Sequence, residues 1–294
     1  MAHDVERTTV ETADLEFAAL TCGDGDRTAL LLHGFPDAPT TFEPLLRRLA
    51  EAGFTAVAPY MRGYGETDRP PVEPGNYSPL SLGSDVFSLL AALGTEDPLV
   101  VGHDWGAIAA TAAITTGPDR VGTCALLAVP PDFWARVDEY ATQALRSWYM
   151  TEFQLPGHGE EVLRRDDFAL LERLWRLWSP NWDYDEADLQ AVKETFATGD
   201  TVEAALQYYR DMFDMMLPRR QSQLAVSGID VPTLLVAGGS DGCIGADLFE
   251  GATDCFDARA ELEVFPSAGH FMHAEQSDAV ADRILAFDRG ESGA

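Results

Sequence analysis

The stretch VVGHDWGA, residues 100–107, decides how the rest of the chain is read. An apolar run meets an aspartate flanked by two glycines, and a small-residue helical pattern, WGAIAATAAITT, follows at once. Glycine at 102 and 106 lets a strand turn sharply into a helix, so that the Asp104 side chain projects above the end of a sheet as a nucleophile would. A plainer reading makes Asp104 an ordinary helix N-cap. The surrounding pattern has to choose between them.

Outward from that point, LEFAAL, TALLLHG and FTAVAPY precede it and TCALLAVP, VPTLLVAG and ELEVFP follow it. Each reads as a strand, and several are unbroken enough for burial on both faces of a parallel sheet. Between them FEPLLRRLAEAG, SDVFSLLAALG and finally EQSDAVADRILAFD carry helical spacing. The alternation predicts an α/β fold with crossover helices. After PPDFW, residues 130–134, the rhythm changes to aromatic-rich helical segments such as LLERLWRLW and AALQYYRDMFDMM. The expected organisation is a mostly parallel central sheet flanked by helices, in two parts, 1–130 and 223–294. A helical lid, 131–222, is inserted between them over the strand ends, where open α/β sheets take their ligands.

Charge sets the setting. The 49 acidic and 20 basic side chains give a net charge of −29 in 294 residues, and Lys193 is the sole lysine. Such a surface repels nucleic-acid backbones and anionic lipid, so neither is an expected partner. Many carboxylates with almost no lysine also point to adaptation to concentrated salt, where counterions screen the self-repulsion. The four cysteines (Cys22, Cys124, Cys243, Cys255) form no CxxC pair, which suits a reducing compartment and suggests no thiolate metal site. MAHDVERTTVETADLEF is an acidic start without the apolar run of a signal peptide, and no stretch is long and uncharged enough to cross a bilayer. A soluble, cytoplasmic protein is expected, and the sequence fixes no oligomeric state.

Two loops past later strands supply partners for Asp104. GGSDGCI places Asp241 just beyond one strand end, and SAGHFMHAEQ places His270 beyond the next. Nucleophile, acid, base is the chain order of hydrolases built on such a sheet. A histidine oriented by a second carboxylate can take a proton from water near neutral pH. His270 and His273 lack a nearby acidic ligand motif, so no metal is expected. The glycine-rich turns match neither nucleotide-binding pattern, and no cofactor is expected. His33 and His103 read as structural, His273 as a brace for its loop, His158 as exposed and Cys243 as packing.

Together HGFP (33–36), RGYGETDRP (62–70), GHDWG, GGSDG and GHFMHAEQ resemble the α/β-hydrolase superfamily, and within it the epoxide hydrolases, with haloalkane dehalogenases as close relatives. The resemblance spans essentially the whole chain. It implies an α/β-hydrolase fold and a small apolar epoxide as substrate, converted with water to a vicinal diol. Asp104 would be the nucleophile, and a carboxylate is apt because it is ionised at neutral pH and can attack a saturated carbon. By the same resemblance, backbone N–H groups of Phe35 and Trp105 form the oxyanion hole. SWYMTEFQLPG and QYYRDMF resemble the segments that carry the ring-opening phenols, which map onto Tyr149 and Tyr209. A haloalkane dehalogenase sharing the Asp nucleophile is the alternative; Trp148, Trp175, Trp178 and Trp182 are its candidate halide donors, although packing is their simpler role. A non-catalytic ligand receptor is the reading from another class.

Overall fold

In the computed structural model, residues 3–137, 141–215 and 226–291 are described. Eight strands form one sheet: β1 (Val5–Glu11), β2 (Glu16–Cys22), β3 (Arg27–Leu32), β4 (Phe54–Pro59), β5 (Leu99–His103), β6 (Thr123–Leu127), β7 (Thr233–Gly238) and β8 (Ala260–Phe265). Their spatial order is β1-β2-β4-β3-β5-β6-β7-β8. The two pairings that involve β2 are antiparallel, and from β4 to β8 every neighbour is parallel.

Parallel strands need crossovers, and helices supply them on both faces. Alternate residues of β3 divide accordingly. Ala29 and Leu31 join the apolar cluster under α1 (Glu43–Glu51) and the final helix α11 (Ser277–Asp288), whereas Leu30 and Leu32 join the one under α2 (Pro79–Leu93) and α3 (Trp105–Thr116). Burial on both sides explains why β3 and β5 read as unbroken apolar runs. The alanines of α3 let it lie close to the sheet, with Ala109, Ala110 and Ala113 fully buried.

Strand β1 was not expected. Within the segment read as an acidic start, Val5–Glu11 pairs with β2 at the sheet edge, and Val10 alone of its seven residues is buried. A one-sided polar edge strand carries little hydrophobic signal, and its charges guard the edge against pairing with another chain. Helix α2 is also longer than SDVFSLLAALG, because Ser78 caps it by accepting the Ser81 N–H and Pro79 occupies its first turn.

Between β6 and β7 the described residues hold helices α4 (Phe133–Arg136), α5 (Ala141–Arg146), α6 (Tyr149–Phe153), α7 (His158–Trp178), α8 (Glu186–Ala197) and α9 (Thr201–Met215). The expected boundary at residue 222 lies outside the described residues. Helix α7 is two helical pieces, because Arg165 is extended and Asp166 to Phe168 take left-handed φ of 51–57°. The short helix α10 (Met272–Glu275) follows β8 directly. Among the described residues no helix is long and apolar enough to cross a membrane.

Candidate active site

All the candidate residues of the sheet half sit past carboxyl ends of its parallel strands. Phe35 follows β3, Asp104 follows β5, Asp241 follows β7 and His270 follows β8. Asp104 takes φ 51° and ψ −114°, a conformation that costs a residue with a Cβ about 1–3 kcal/mol. The flanking glycines permit the turn: a Cβ on Gly102 would come within 2.3 Å of the Gly106 carbonyl oxygen, and one on Gly106 within 2.0 Å of the Leu32 oxygen. Strand and helix therefore cross at backbone contact, and Asp104 is thrust out between them.

Asp104 occupies the N-cap position of α3 but makes no side-chain cap bond. Its Oδ1 instead accepts the Phe35 backbone N–H at 2.8 Å, across 69 residues of sequence. The Trp105 N–H, first of α3, has no intrahelical acceptor. Its position at the positive end of the helix dipole favours developing negative charge. The Phe35 ring is itself core, packed edge-on against Phe153, Phe196 and Tyr209.

His270 lies between two carboxylates. Its Nδ1 is 2.9 Å from Asp241 Oδ2, and its Nε2 is 3.7 Å from Asp104 Oδ2. Asp241 Oδ1 in turn accepts the backbone N–H groups of Cys243 (2.6 Å) and Ile244 (2.9 Å), which fix its orientation. Burial disfavours the imidazolium, but Asp241 and Asp104 outweigh it and push the His270 pKa up to about 10.

The helical insertion holds these loops directly. The carbonyl of Trp178, the last residue of α7, accepts both the Gly242 N–H and the His270 N–H at 3.0 Å. A Cβ on Gly242 would approach the Leu177 oxygen to 2.0 Å, so glycine is needed for this docking. One residue on, Ser179 donates to Glu275 Oε1 at 2.6 Å and accepts the Phe271 N–H at 3.1 Å, while Glu275 also takes the Gly269 N–H. None of these contacts was anticipated from sequence. Trp178 and Ser179 meet partners between 64 and 96 positions away, and no motif marks them.

A second buried cluster braces His270 from behind. His103 Nε2 donates to the His270 carbonyl at 3.0 Å, and its Nδ1 lies 3.4 Å from Asp37 Oδ2. His273 Nε2 lies 3.4 Å from the same oxygen and 3.1 Å from Thr41 Oγ1. Asp37, a residue the sequence reading passed over, is fully buried; despite burial, His103 and His273 hold its carboxyl well below the usual range. His273 is driven the other way, down to about 4, by burial and by the charge of His103 against the pull of Asp37. His33 is structural, its Nε2 accepting the Met61 N–H at 3.0 Å, and His158 is exposed beside Glu152.

Above Asp104 lies a chamber of about 260 Å³ lined by Asp104 and Trp105 from the sheet half and by Tyr149 and Tyr209 from the insertion, with apolar neighbours including Ile108 and Trp134. Both phenols are buried, and burial with the nearby Asp104 charge keeps Tyr209 protonated far above its ordinary pKa. Tyr209 Oη faces the Trp105 side chain and meets no other hydrogen-bond partner among the described residues. Tyr149 Oη contacts Cys243 Sγ at 3.5 Å, so the Cys243 thiol faces a candidate site residue as well as packing. Tyr208 points elsewhere and donates to the Arg62 carbonyl. None of Trp148, Trp175, Trp178 and Trp182 lines the chamber. Trp175 donates to the Pro36 carbonyl and stacks on Trp182, Trp178 packs on His270, and Trp148 is 40% exposed.

A family profile described as alpha/beta hydrolase fold matches residues 29–277. Epoxide hydrolase 3 of Siraitia grosvenorii is 35% identical over 173 residues, which are 57% of this chain and 54% of that protein, so the match spans about half of the relative. Epoxide hydrolase A of Mycobacterium tuberculosis is 28% identical over 317 aligned positions covering 96% of each chain. The crystal structure of Epoxide Hydrolase A from Mycobacterium thermoresistibile superposes with a TM-score of 0.84 at 26% identity, over 98% of this chain and 99% of the other.

Proposed function

The chain belongs to the α/β-hydrolase fold family, and from that premise we propose that it is an epoxide hydrolase, converting an epoxide and water to a vicinal diol through an ester on Asp104. The observation that carries this reading is the chamber itself, which holds one carboxylate opposite two buried phenols. A carboxylate attacks saturated carbon, and a phenol protonates the oxygen that leaves it. Relatives named as epoxide hydrolases support the same substrate class.

In this mechanism Oδ2 of Asp104 bonds to a ring carbon, the carbon–oxygen bond of the ring breaks, and the departing oxygen takes a proton from Tyr209 or Tyr149. Oδ1 becomes the ester carbonyl oxygen. Water then loses a proton to His270 Nε2 and attacks Cγ, and the charge that develops on Oδ1 falls between the N–H groups of Phe35 and Trp105. Collapse breaks the Cγ–Oδ2 bond; Oδ2 leaves in the diol with the proton that His270 took from water, the second water proton passes from the new Asp104 carboxyl to the tyrosinate left by ring opening, and the water oxygen remains on Asp104. Asp241 orients His270 and stabilises its cation. The helices of 131–222 act as the lid, supplying both phenols and excluding bulk water. The acidic surface belongs to the same reading as adaptation to a saline cytoplasm, in keeping with four cysteines that are all buried and unpaired.

Product analysis tests the reading. Styrene oxide and 1-bromobutane are offered separately to purified protein in high salt, with Asp104→Ala as control. Diol that disappears in the control is expected. Bromide without diol would replace the epoxide reading with dehalogenation, and ligand binding without either product would favour a receptor.

A further inference from the structure

The chamber does not end at the tyrosines. Ile108, Val129 and Trp134 form one of its walls and are also the inner wall of a second cavity of about 630 Å³, which continues along Leu80 at the start of α2 and Thr111 and Thr115 on the outer side of α3. The chamber is the tighter of the two spaces, so a longer chain or an aryl group on an epoxide ring at Asp104 would extend into the groove. No side chain lining the groove among the described residues carries a charge. With a net charge of −29 on the protein, an anionic tail would also be repelled on approach.

Trp134 stands at the junction. Its ring is set edge-on against Phe133 at a centroid distance of 4.8 Å. The indole Nε1 is buried and has no hydrogen-bond partner among the described residues. A purely hydrocarbon tail passing this point would leave the donor desolvated and unpaired, whereas an oxygen acceptor there would satisfy it. We propose that the substrate is an uncharged epoxide whose apolar tail lies in this groove and carries an ether or carbonyl oxygen close to the ring, read by the Trp134 N–H. This specificity assignment rests on the epoxide hydrolase reading above.

The test is a matched pair, phenoxymethyl oxirane and 2-phenylethyl oxirane, which differ by an ether oxygen in place of a methylene. Two unreactive alcohols with the same difference, 3-phenoxypropan-1-ol and 4-phenylbutan-1-ol, report binding through tryptophan fluorescence without any turnover. The carbon compounds are the more hydrophobic, so the quantity read is the change in the ether-to-carbon ratio between wild type and Trp134→Phe. That ratio should fall about five- to tenfold in the variant, in kcat/KM for the epoxides and in affinity for the alcohols. A ratio unmoved by the substitution, for the epoxides and the alcohols alike, overturns the proposal. If the alcohols show the ether preference while neither epoxide is turned over, the Trp134 site stands and the epoxide reading falls. Turnover of both epoxides with no shift in ratio has the opposite meaning.

Discussion

Asp104 Oδ2 stands 3.7 Å from His270 Nε2, close enough that the charge of the proposed nucleophile helps hold the proposed base protonated. Forming an ester on Asp104 removes that charge. The His270 pKa should therefore fall from about 10 in the free protein to a lower value in the alkylated one, where a neutral imidazole is needed. Ester hydrolysis followed in single turnovers should rise with pH to a midpoint well below that of the free protein, which NMR titration of His270 supplies. Identical midpoints in the two states would sink the idea.

His270→Gln should stop the reaction after the first step. Intact-mass analysis is expected to show the protein plus one substrate, a species absent from Asp104→Ala. In wild type, a single turnover in oxygen-18 water should label Asp104 and leave the first-formed diol unlabelled. Label in that diol would mean direct attack by water on the epoxide.

Tyr209 Oη meets only the Trp105 side chain among the described residues, whereas Tyr149 Oη rests against Cys243 Sγ. Losing that one contact is offset by removing a buried hydroxyl from an apolar site, so Tyr209→Phe should change thermal stability little. The same substitution should slow ester formation about 10²-fold, the range for loss of a positioned acid, without slowing ester hydrolysis. An unchanged alkylation rate would remove the phenol from the mechanism.

His273 is held neutral, its pKa lowered to about 4 from an ordinary value of 6.5. The unfolded chain takes up that proton first as pH falls. The stability its neutral form contributes is thus fully present above pH 6.5 and is lost on the way down to about 4. His273→Gln keeps a donor near Thr41 and should flatten the fall in denaturation midpoint across that window. An equally steep fall in the variant would place the acid sensitivity in other groups.

A salt titration reads the surface. With a net charge of −29, screening alone should raise the thermal midpoint steeply up to molar potassium chloride. A flat response would leave genome composition as the account of the acidic surface.

What could be read in advance was whatever has a local cause. The elbow at Asp104 announces itself because two glycines four apart are needed for its backbone contact, and the buried strands because both their faces are covered. Asp241 and His270 follow from their places after strands β7 and β8. What escaped is long-range or faintly patterned. Strand β1 buries one residue, Asp37 braces two histidines 66 and more positions away, and the Trp134 N–H is conspicuous only because nothing among the described residues meets it. The left-handed break in α7 gave no sign either, since Arg165 to Phe168 contain neither glycine nor proline.

The Trp178 carbonyl, shared by the Gly242 and His270 amides, bears on how such a protein can be altered. Exchanging the whole insertion for one of different length would pull the acid and base loops apart before it touched substrate choice. Viable chimeras must keep the junction at residues 177–179, the Tyr149 phenol and the Gln143 contacts to Cys243 and Gly245, and make their exchanges around α4 and Trp134. Selection for new substrates is channelled to the same place: the residues that hold the acid and base loops or supply a phenol belong to the catalytic frame and are frozen by it, and only the stretch around α4 and Trp134 can drift.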